Sequence, residues 1–180
     1  MQVHERQKTE RKKEMREKLT ENDVKKIQEE IEYRKLVVRK EAIEAVKEAR
    51  AQGDLSENFE YQAAKKDKNR NESRIRYLER VLKTAVIVSD KSEAGVAGIN
   101  NRVTVYFPDE DEEETYKLVT SIRGNSLEGH ISTESPLGKA IFGHRAGDRV
   151  QVHVSDSVSY EVEIRNVEDT TDDDEQIRAY

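Results

Sequence analysis

The chain has 180 residues, of which 34% are hydrophobic and 39% are charged, and its net charge is −6. This apolar fraction is too small for one compact globule, so we expect an extended element with a narrow buried seam. The absence of cysteine excludes disulfides and thiolate metal sites and fits a cytoplasmic protein. Because no long apolar run occurs and the amino-terminal stretch is charged, we expect neither a membrane span nor a signal peptide.

Positive and negative charges are divided unevenly along the chain. Residues 1–88 carry 23 Lys and Arg against 18 Asp and Glu, a net charge of +5. Residues 89–180 carry 9 Lys and Arg against 20 Asp and Glu, a net charge of −11. The asymmetry indicates two modules with different partners, and the basic module suits nucleic acid phosphates. The alternative is a solvated coiled-coil surface, on which mixed charges are common.

A charged segment and then a long helix are predicted at the start of the chain. Residues 1–18 have almost no apolar side chains and form a tail or an extension of the helix. Residues 19–52 contain neither Pro nor Gly, and Gly53 marks the end of the helix. Apolar residues recur in it every seven positions, at Val24, Ile31, Val38 and Ala45. This period predicts half of a coiled coil.

A second helix is predicted to return along the first. Between residues 56 and 82, apolar residues keep helical spacing: Tyr61, Ala64, Ile75, Leu78 and Leu82. Lys68 and Asn71 interrupt this stripe. Because only a few residues connect the helices, they must be antiparallel neighbours. We therefore predict a hairpin over residues 19–84, with helices about 45–50 Å long.

Beyond residue 84 the pattern changes to short strands. Alternating segments occur at residues 85–88, 102–107, 116–119, 149–154 and 159–164. Such alternation is typical of an antiparallel sheet with one solvated face. An acidic loop over residues 108–114 and a short helix after Pro136 complete the pattern. The sequence thus predicts an α+β protein, with a sheet domain over residues 85–168 and an acidic tail over residues 169–180.

The connection between the two predicted helices contains the candidate functional residues. Residues 53–61 read Gly-Asp-Leu-Ser-Glu-Asn-Phe-Glu-Tyr, and they place Asp54 and Glu57 at the turn of a basic hairpin. In a helical turn these acids share a face, so they can supply two oxygens to one Mg²⁺. The alternative is structural, in which Asp54 caps the return helix and Glu57 completes a capping box.

Residues 53–61 resemble the signature G-D-x-x-E-N-x-E/D-Y of the bacterial transcript cleavage factors, the GreA/GreB family. Residues 132–143, followed by Gly147 and Asp148, are similar to a second motif of that family. Both segments occur in the family's order, and the resemblance extends from about Leu19 to Glu168. It implies an amino-terminal coiled-coil hairpin and a carboxy-terminal domain related in fold to FKBP-type isomerases.

The resemblance also implies a function, which is transcription elongation. In this family the globular domain binds bacterial RNA polymerase and the coiled coil enters the secondary channel. Asp54 and Glu57 are then the catalytic residues, because they hold a second Mg²⁺ shared with the polymerase, and the backtracked nascent RNA is cut. We therefore expect an accessory factor, not an enzyme in its own right, without a tightly bound metal. We expect a cytoplasmic monomer that contacts the nucleic acid of the elongation complex and no membrane.

The resemblance assigns three further groups of residues. The residues that support the tip are Ser56, Asn58, Phe59 and Tyr61. Those that hold the RNA 3′ end are Lys65, Lys66, Lys68, Arg70, Arg74 and Arg76. Those that dock on the polymerase are Ser132, Glu134, Ser135, Pro136 and Leu137. The structural alternatives are helix-start chemistry, seam packing for Tyr61, and a solvated face for the basic stretch.

Two other functions are compatible with the sequence. A channel-occupying regulator of the same fold inhibits the polymerase without promoting cleavage, and the presence of both Asp54 and Glu57 argues against it. A prolyl isomerase needs an aromatic pocket, whereas the carboxy-terminal half has no Trp and few aromatic residues. The four His are scattered and show no metal-ligand spacing.

Overall fold

The computed structural model describes residues 16–51, 58–171 and 176–178. The chain divides into two compact units. The helical unit is formed by residues 22–85, and the sheet unit by residues from Val86 onward together with the segment that ends at Glu21. In the described ranges, no helix is both long and apolar enough to cross a bilayer.

The helical unit consists of two long helical segments. The first comprises α1 (Glu21–Tyr33), a π-helical turn (Arg34–Val38) and α2 (Arg39–Ala51), and the second is α3 (Phe59–Thr84). The first helix therefore starts two residues after the predicted Leu19, because Leu19 lies in a short strand.

Contacts between the two segments show that they are antiparallel. Asn58, just before α3, donates a hydrogen bond to the carbonyl of Ala49 near the end of α2, at 2.9 Å. Farther along, Arg74 of α3 pairs with Glu30 of α1. Residues late in the first segment thus contact residues early in the second. The predicted hairpin is confirmed.

The π-helical turn changes which side chains of the first segment are buried. A π turn holds one more residue than an α turn, so side chains beyond it are rotated away from a seven-residue pattern. Ile31 is buried before the turn and Ala49 after it. Ala45, which the pattern places in the seam, is exposed, and its neighbour Val46 is half-buried instead. The prediction for Ala45 is wrong because sequence periodicity assumes an unbroken α-helix.

The buried stripe of α3 includes Asn71, at which the sequence predicts an interruption. Asn71 is 3% exposed. Its amide oxygen accepts a hydrogen bond from Nη1 of Arg34 at 3.2 Å, and its amide nitrogen donates to the Arg34 carbonyl at 3.3 Å. Because both ends of the amide are paired, Asn71 stays in the interhelical contact instead of breaking it.

The sheet unit is built on five strands, which are β3 (Arg102–Phe107), β4 (Glu112–Val119), β5 (His130–Ser132), β6 (Arg149–Ser155) and β7 (Val158–Glu168). Their order in the sheet is β5-β4-β3-β7-β6. All neighbours are antiparallel except β4 and β5, which are parallel. A separate parallel pair joins β1 (Lys18–Leu19) to β2 (Val86–Ile87).

The core of the sheet unit is aliphatic and lies on one face of the sheet. Its buried members are Ala97, Val103, Val105, Leu118, Ile141, Val150, Val152, Val162 and Ile164. Ile141 belongs to the short helix α4 (Pro136–Ile141), which therefore covers this face. The alternation in β3 and β7 predicts these inward positions, because successive side chains of a strand point to opposite faces.

Two features of the sheet differ from the sequence prediction. Residues 112–114, predicted as part of an acidic loop, belong to β4 and pair with the end of β3. Short β5 runs parallel to β4, since the chain returns over residues 120–129 before entering it. The sheet is therefore mixed, although most of its pairings are antiparallel as predicted.

Candidate functional site

The predicted catalytic residues Asp54 and Glu57 lie outside the described residues, as does Ser56. The first helical segment ends at Ala51 and α3 begins at Phe59. In sequence, the two acids lie between these two helices, and their predicted role stays a prediction.

Asn58 ties the two ends of this connection together. Its Oδ1 accepts a hydrogen bond from the Tyr61 backbone nitrogen at 2.9 Å, which caps α3. Its Nδ2 donates to the carbonyl of Ala49 in α2 at 2.9 Å. An N-cap of this kind stabilises a helix by about 1 kcal/mol. Asn58 therefore starts α3 and also fixes it to α2.

Phe59 and Tyr61, the other predicted tip residues, have different environments. Phe59 is 88% exposed, so it does not pack within the hairpin. Tyr61 is half-buried, and its ring lies 5.8 Å from the Arg50 guanidinium carbon and 6.0 Å from Nζ of Lys65. A hydrogen bond with Arg50 lowers the pKa of the Tyr61 hydroxyl. Tyr61 thus contacts a cation of each helix, Arg50 of α2 and Lys65 of α3.

The predicted RNA-binding residues do not share one environment. Lys65, Lys66, Arg70 and Arg76 are exposed on α3, and Lys68 is half-buried. Arg74 is only 4% exposed. Its prediction as a phosphate contact is wrong, because its guanidinium faces the other helix instead of solvent.

Arg74 belongs to a buried ionic group inside the hairpin. Its Nε and Nη2 donate to the two carboxylate oxygens of Glu30 at 2.9 and 3.0 Å. Arg34 donates to Oε1 of Glu30 at 2.6 Å. Burial raises the pKa of Glu30, but the hydrogen bonds from Arg74 and Arg34 outweigh it, so the pKa is lowered. A two-pronged pair of this kind fixes both the partner and the orientation of the helices.

The predicted docking segment forms the start of α4. Ser135 caps this helix by accepting a hydrogen bond from Gly138 N at 3.1 Å, and its hydroxyl donates to the Ser132 carbonyl at 2.7 Å. A Cβ on Gly138 would lie 2.0 Å from that carbonyl oxygen, so glycine allows the close approach. Pro136 is exposed at the first position of the helix. Leu137 is half-buried and packs against the core.

Glu134 has two basic partners. Its carboxylate lies 2.7 Å from Nζ of Lys18 and 3.4 Å from Nζ of Lys139. Partial burial raises the pKa of Glu134, but hydrogen bonding from Lys18 and the charges of both lysines lower it below its usual value. Glu134 is therefore held as a carboxylate beside the exposed Pro136.

Sequence reasoning missed an aromatic cavity on the sheet unit. Phe107, Tyr116 and Tyr160 line a cavity of about 270 Å³ together with carboxylates of neighbouring residues. Burial, and then the hydrogen bond to Glu114, raise the pKa of Tyr116. These three aromatic residues are far apart in sequence, and only the strand register brings them together. The small number of aromatic residues in this half of the sequence gave no indication that three of them line one cavity.

Within the described residues, no three His, Cys, Asp or Glu side chains are arranged to hold a metal ion.

Family models match almost the whole described chain. The model for the amino-terminal domain of transcription elongation factors matches residues 17–87. The model described as "Transcription elongation factor, GreA/GreB, C-term" matches residues 91–169. The chain is therefore in the class of transcription elongation factors, with an α+β fold.

Curated relatives give the same assignment. The transcription elongation factor GreA of Geobacillus kaustophilus is 44% identical over 135 residues, which cover 74% of this chain and 85% of the relative. GreA of Clostridium botulinum strain Alaska E43 is 44% identical over 143 residues, covering 78% and 89%. This chain belongs to the GreA/GreB family.

Among solved structures, the chain is similar to the GreA factor homolog 1 protein of Thermus thermophilus. The two are 28% identical, with a TM-score of 0.40, over 84% of this chain and 98% of that one.

Proposed function

We propose that this chain binds RNA polymerase, inserts its helical hairpin into the secondary channel and stimulates cleavage of backtracked nascent RNA. The observation that carries the proposal is the Asn58 bridge between α2 and α3. It holds together the two ends of the connection that contains Asp54 and Glu57. A rod that presents two carboxylates at its end is suited to work inside another protein's active centre.

Asp54 and Glu57 are proposed to hold a Mg²⁺ that the factor shares with the polymerase. Their carboxylate oxygens are the ligands that Mg²⁺ prefers, and one or two protein carboxylates are typical of such sites. The remaining ligands of the ion would come from the polymerase and the RNA. When bound, the ion supplies Lewis-acid stabilisation and activation of water for phosphodiester hydrolysis.

The exposed basic residues of α3 are proposed to hold the RNA. Lys65, Lys66, Arg70 and Arg76 offer ammonium and guanidinium groups that bind phosphates without reading sequence. Lys68 contributes from a half-buried position. Such contacts position the RNA 3′ end while the tip acids act.

The start of α4 is proposed as the docking surface for the polymerase. Pro136 is exposed two residues after Glu134, and hydrogen bonds of Ser132 and Ser135 brace this turn. Phe142, just beyond the helix, is 47% exposed and offers a further apolar side chain. An apolar group next to a fixed charge provides both contact area and orientation.

The proposal is tested with stalled, backtracked transcription complexes that carry end-labelled RNA. The native chain, an Asp54→Asn/Glu57→Gln variant and a Glu48→Gln control are each added with Mg²⁺. Glu48 is an exposed acid in the last turn of α2 and lies outside the motif of residues 53–61. We expect shortened RNA with the native chain and the control, and background cleavage with the double variant.

Each other outcome has a defined meaning. Slower elongation without shortened RNA would establish the channel-occupying regulator and overturn the cleavage proposal. Equal cleavage by the native chain and the double variant would remove Asp54 and Glu57 from the mechanism. Loss of cleavage in the Glu48→Gln control would show a general effect of charge near the tip.

A further inference from the structure

A cavity in the sheet unit is rich in positive charge. Its volume is about 870 Å³, and its lining comes from β3, β4, the turn before β5 and the residues after β7. Among its described lining residues, four have a permanent positive charge and one is a carboxylate. The four cations are Arg102, Lys117, Arg123 and Arg178, the carboxylate is Glu128, and His130 also lines the cavity.

The strand register places basic residues side by side at this cavity. Arg102 of β3 lies directly opposite Lys117 of β4, and Lys117 lies opposite His130 of β5. Glu168 of β7 continues the row beyond Arg102 and does not line the cavity. Residues directly opposite each other on neighbouring strands lie on the same face of the sheet, so Arg102 and Lys117 line the same part of the cavity.

Two of the cations are fixed in the cavity wall. Arg123 is 1% exposed, and it donates from Nη1 to the Asn100 side-chain oxygen at 2.8 Å and from Nε to the Thr120 hydroxyl at 3.4 Å. Lys117 is 8% exposed and donates to the Thr171 carbonyl. These hydrogen bonds hold the charged groups in place, so an incoming anion need not order them.

We propose that this cavity binds a small molecule that carries two or more phosphate groups. The volume lies within the range of small-molecule sites, and guanidinium groups pair with phosphate through two parallel hydrogen bonds. Because Lys117 and Arg123 are buried in the wall, a ligand must enter the cavity to reach them. A small molecule can enter, whereas the backbone of a nucleic acid duplex remains outside.

The site is separate from the proposed cleavage function. None of its residues belongs to the tip, the basic face of α3 or the start of α4. The lining residues Thr170, Thr171 and Gln176–Arg178 also follow residue 169, at which the family match ends. The cavity is therefore a feature of this chain and is not carried by the matched family region alone.

The proposal is tested by isothermal titration calorimetry of the full chain with pyrophosphate and with GDP at a fixed ionic strength. Losing a charged hydrogen bond of roughly 1.5 kcal/mol weakens binding about tenfold, so Arg102→Gln and Lys117→Gln should each weaken both probes by that factor. The matched control is Arg145→Gln, an exposed arginine of the same unit outside the cavity, for which we expect less than about a twofold change. Circular dichroism checks the fold of each variant. If Lys117→Gln does not fold, the binding measured for Arg102→Gln, at an exposed position, decides the test.

Several results would overturn the proposal. One is the absence of binding to the native chain, and another is an equal loss of binding in the Arg145→Gln control. A further variant replaces Asp172, Asp173 and Asp174 with Asn and Glu175 with Gln. If pyrophosphate binds only to that variant, the chain's own acidic residues are the anion of the cavity and no small molecule is required.

Discussion

The interiors of the two units of this protein are stabilised by different interactions. The buried face of the sheet unit is aliphatic, built from residues such as Val105, Val162 and Ile164. The helical unit buries Asn71 and Arg74 beside apolar residues such as Ile75 and Leu78. Aliphatic burial is strong and has little directional preference, whereas paired charges are directional and fix one alignment of two helices. If the hairpin acts as proposed, this alignment determines how it presents its tip.

The largest effect is expected from a cavity in the sheet core. Ile164→Ala should destabilise the sheet unit by about 3 kcal/mol, because it removes buried methylene groups and leaves a cavity. Hydrogen exchange of amides in β3 and β7 measures the loss. Val154→Ala, an exposed position on β6, is the control and should change protection by less than about 0.5 kcal/mol. Equal effects of the two changes would contradict the aliphatic core described here.

The next effect is expected from the ionic group of the hairpin. Glu30→Gln should destabilise the helical unit by roughly 3 kcal/mol, because Arg74 would remain buried without its carboxylate. Urea unfolding followed by helical circular dichroism measures the change. Glu79→Gln removes an exposed pair with Lys35 and should cost less than about 1 kcal/mol.

A double replacement sharpens the same comparison. Glu30→Leu/Arg74→Leu removes both charges and should recover most of the stability lost in Glu30→Gln, since apolar pairs replace buried ion pairs at little cost. If the double variant also keeps its helices in a single alignment, the ionic group is not required for specificity.

Acidification should weaken the helical unit more than the sheet core. The hydrogen bonds from Arg74 and Arg34 offset burial and lower the pKa of Glu30, and hydrogen bonding to Arg39 lowers that of Glu72. A carboxyl group whose pKa is lower in the folded protein stabilises the fold at pH values above its unfolded pKa of 4.5. This stabilisation is lost as the pH falls through the pKa of the folded protein. The melting temperature of the helical unit should therefore fall as the pH is lowered below about 4.5, and it should fall less in Glu30→Gln. An identical drop in both proteins would exclude Glu30 as the cause.

The smallest effect on stability, with a larger one on function, is expected at Asn58. Asn58→Ala removes the cap of α3 and the bond to Ala49, which should cost about 1 kcal/mol. RNA cleavage should fall further than this loss implies, because the acids would be held less accurately. Asn58→Asp retains the cap acceptor but not the donor to Ala49. Cleavage by Asn58→Asp that equals the native level would show that only the cap matters.

The sequence by itself determined the hairpin and most of the strands. Gly53 and the short connection require antiparallel helices, and the alternation of β3 and β7 identifies the buried faces without any structure. The residues of the tip motif were recognisable because their chemistry lies within nine consecutive positions, where spacing is visible.

Tertiary structure decided what depends on residues that are distant in sequence. The π turn at Arg34–Val38 moved Ala45 out of the seam, because hydrogen bonding within a helix can change its phase without a sequence signal. The charge of Arg74 indicates a phosphate contact, and only its distance to Glu30 shows that it is buried and paired. The row of Arg102, Lys117 and His130 likewise follows from strand register, which arises when separate segments pack into one sheet.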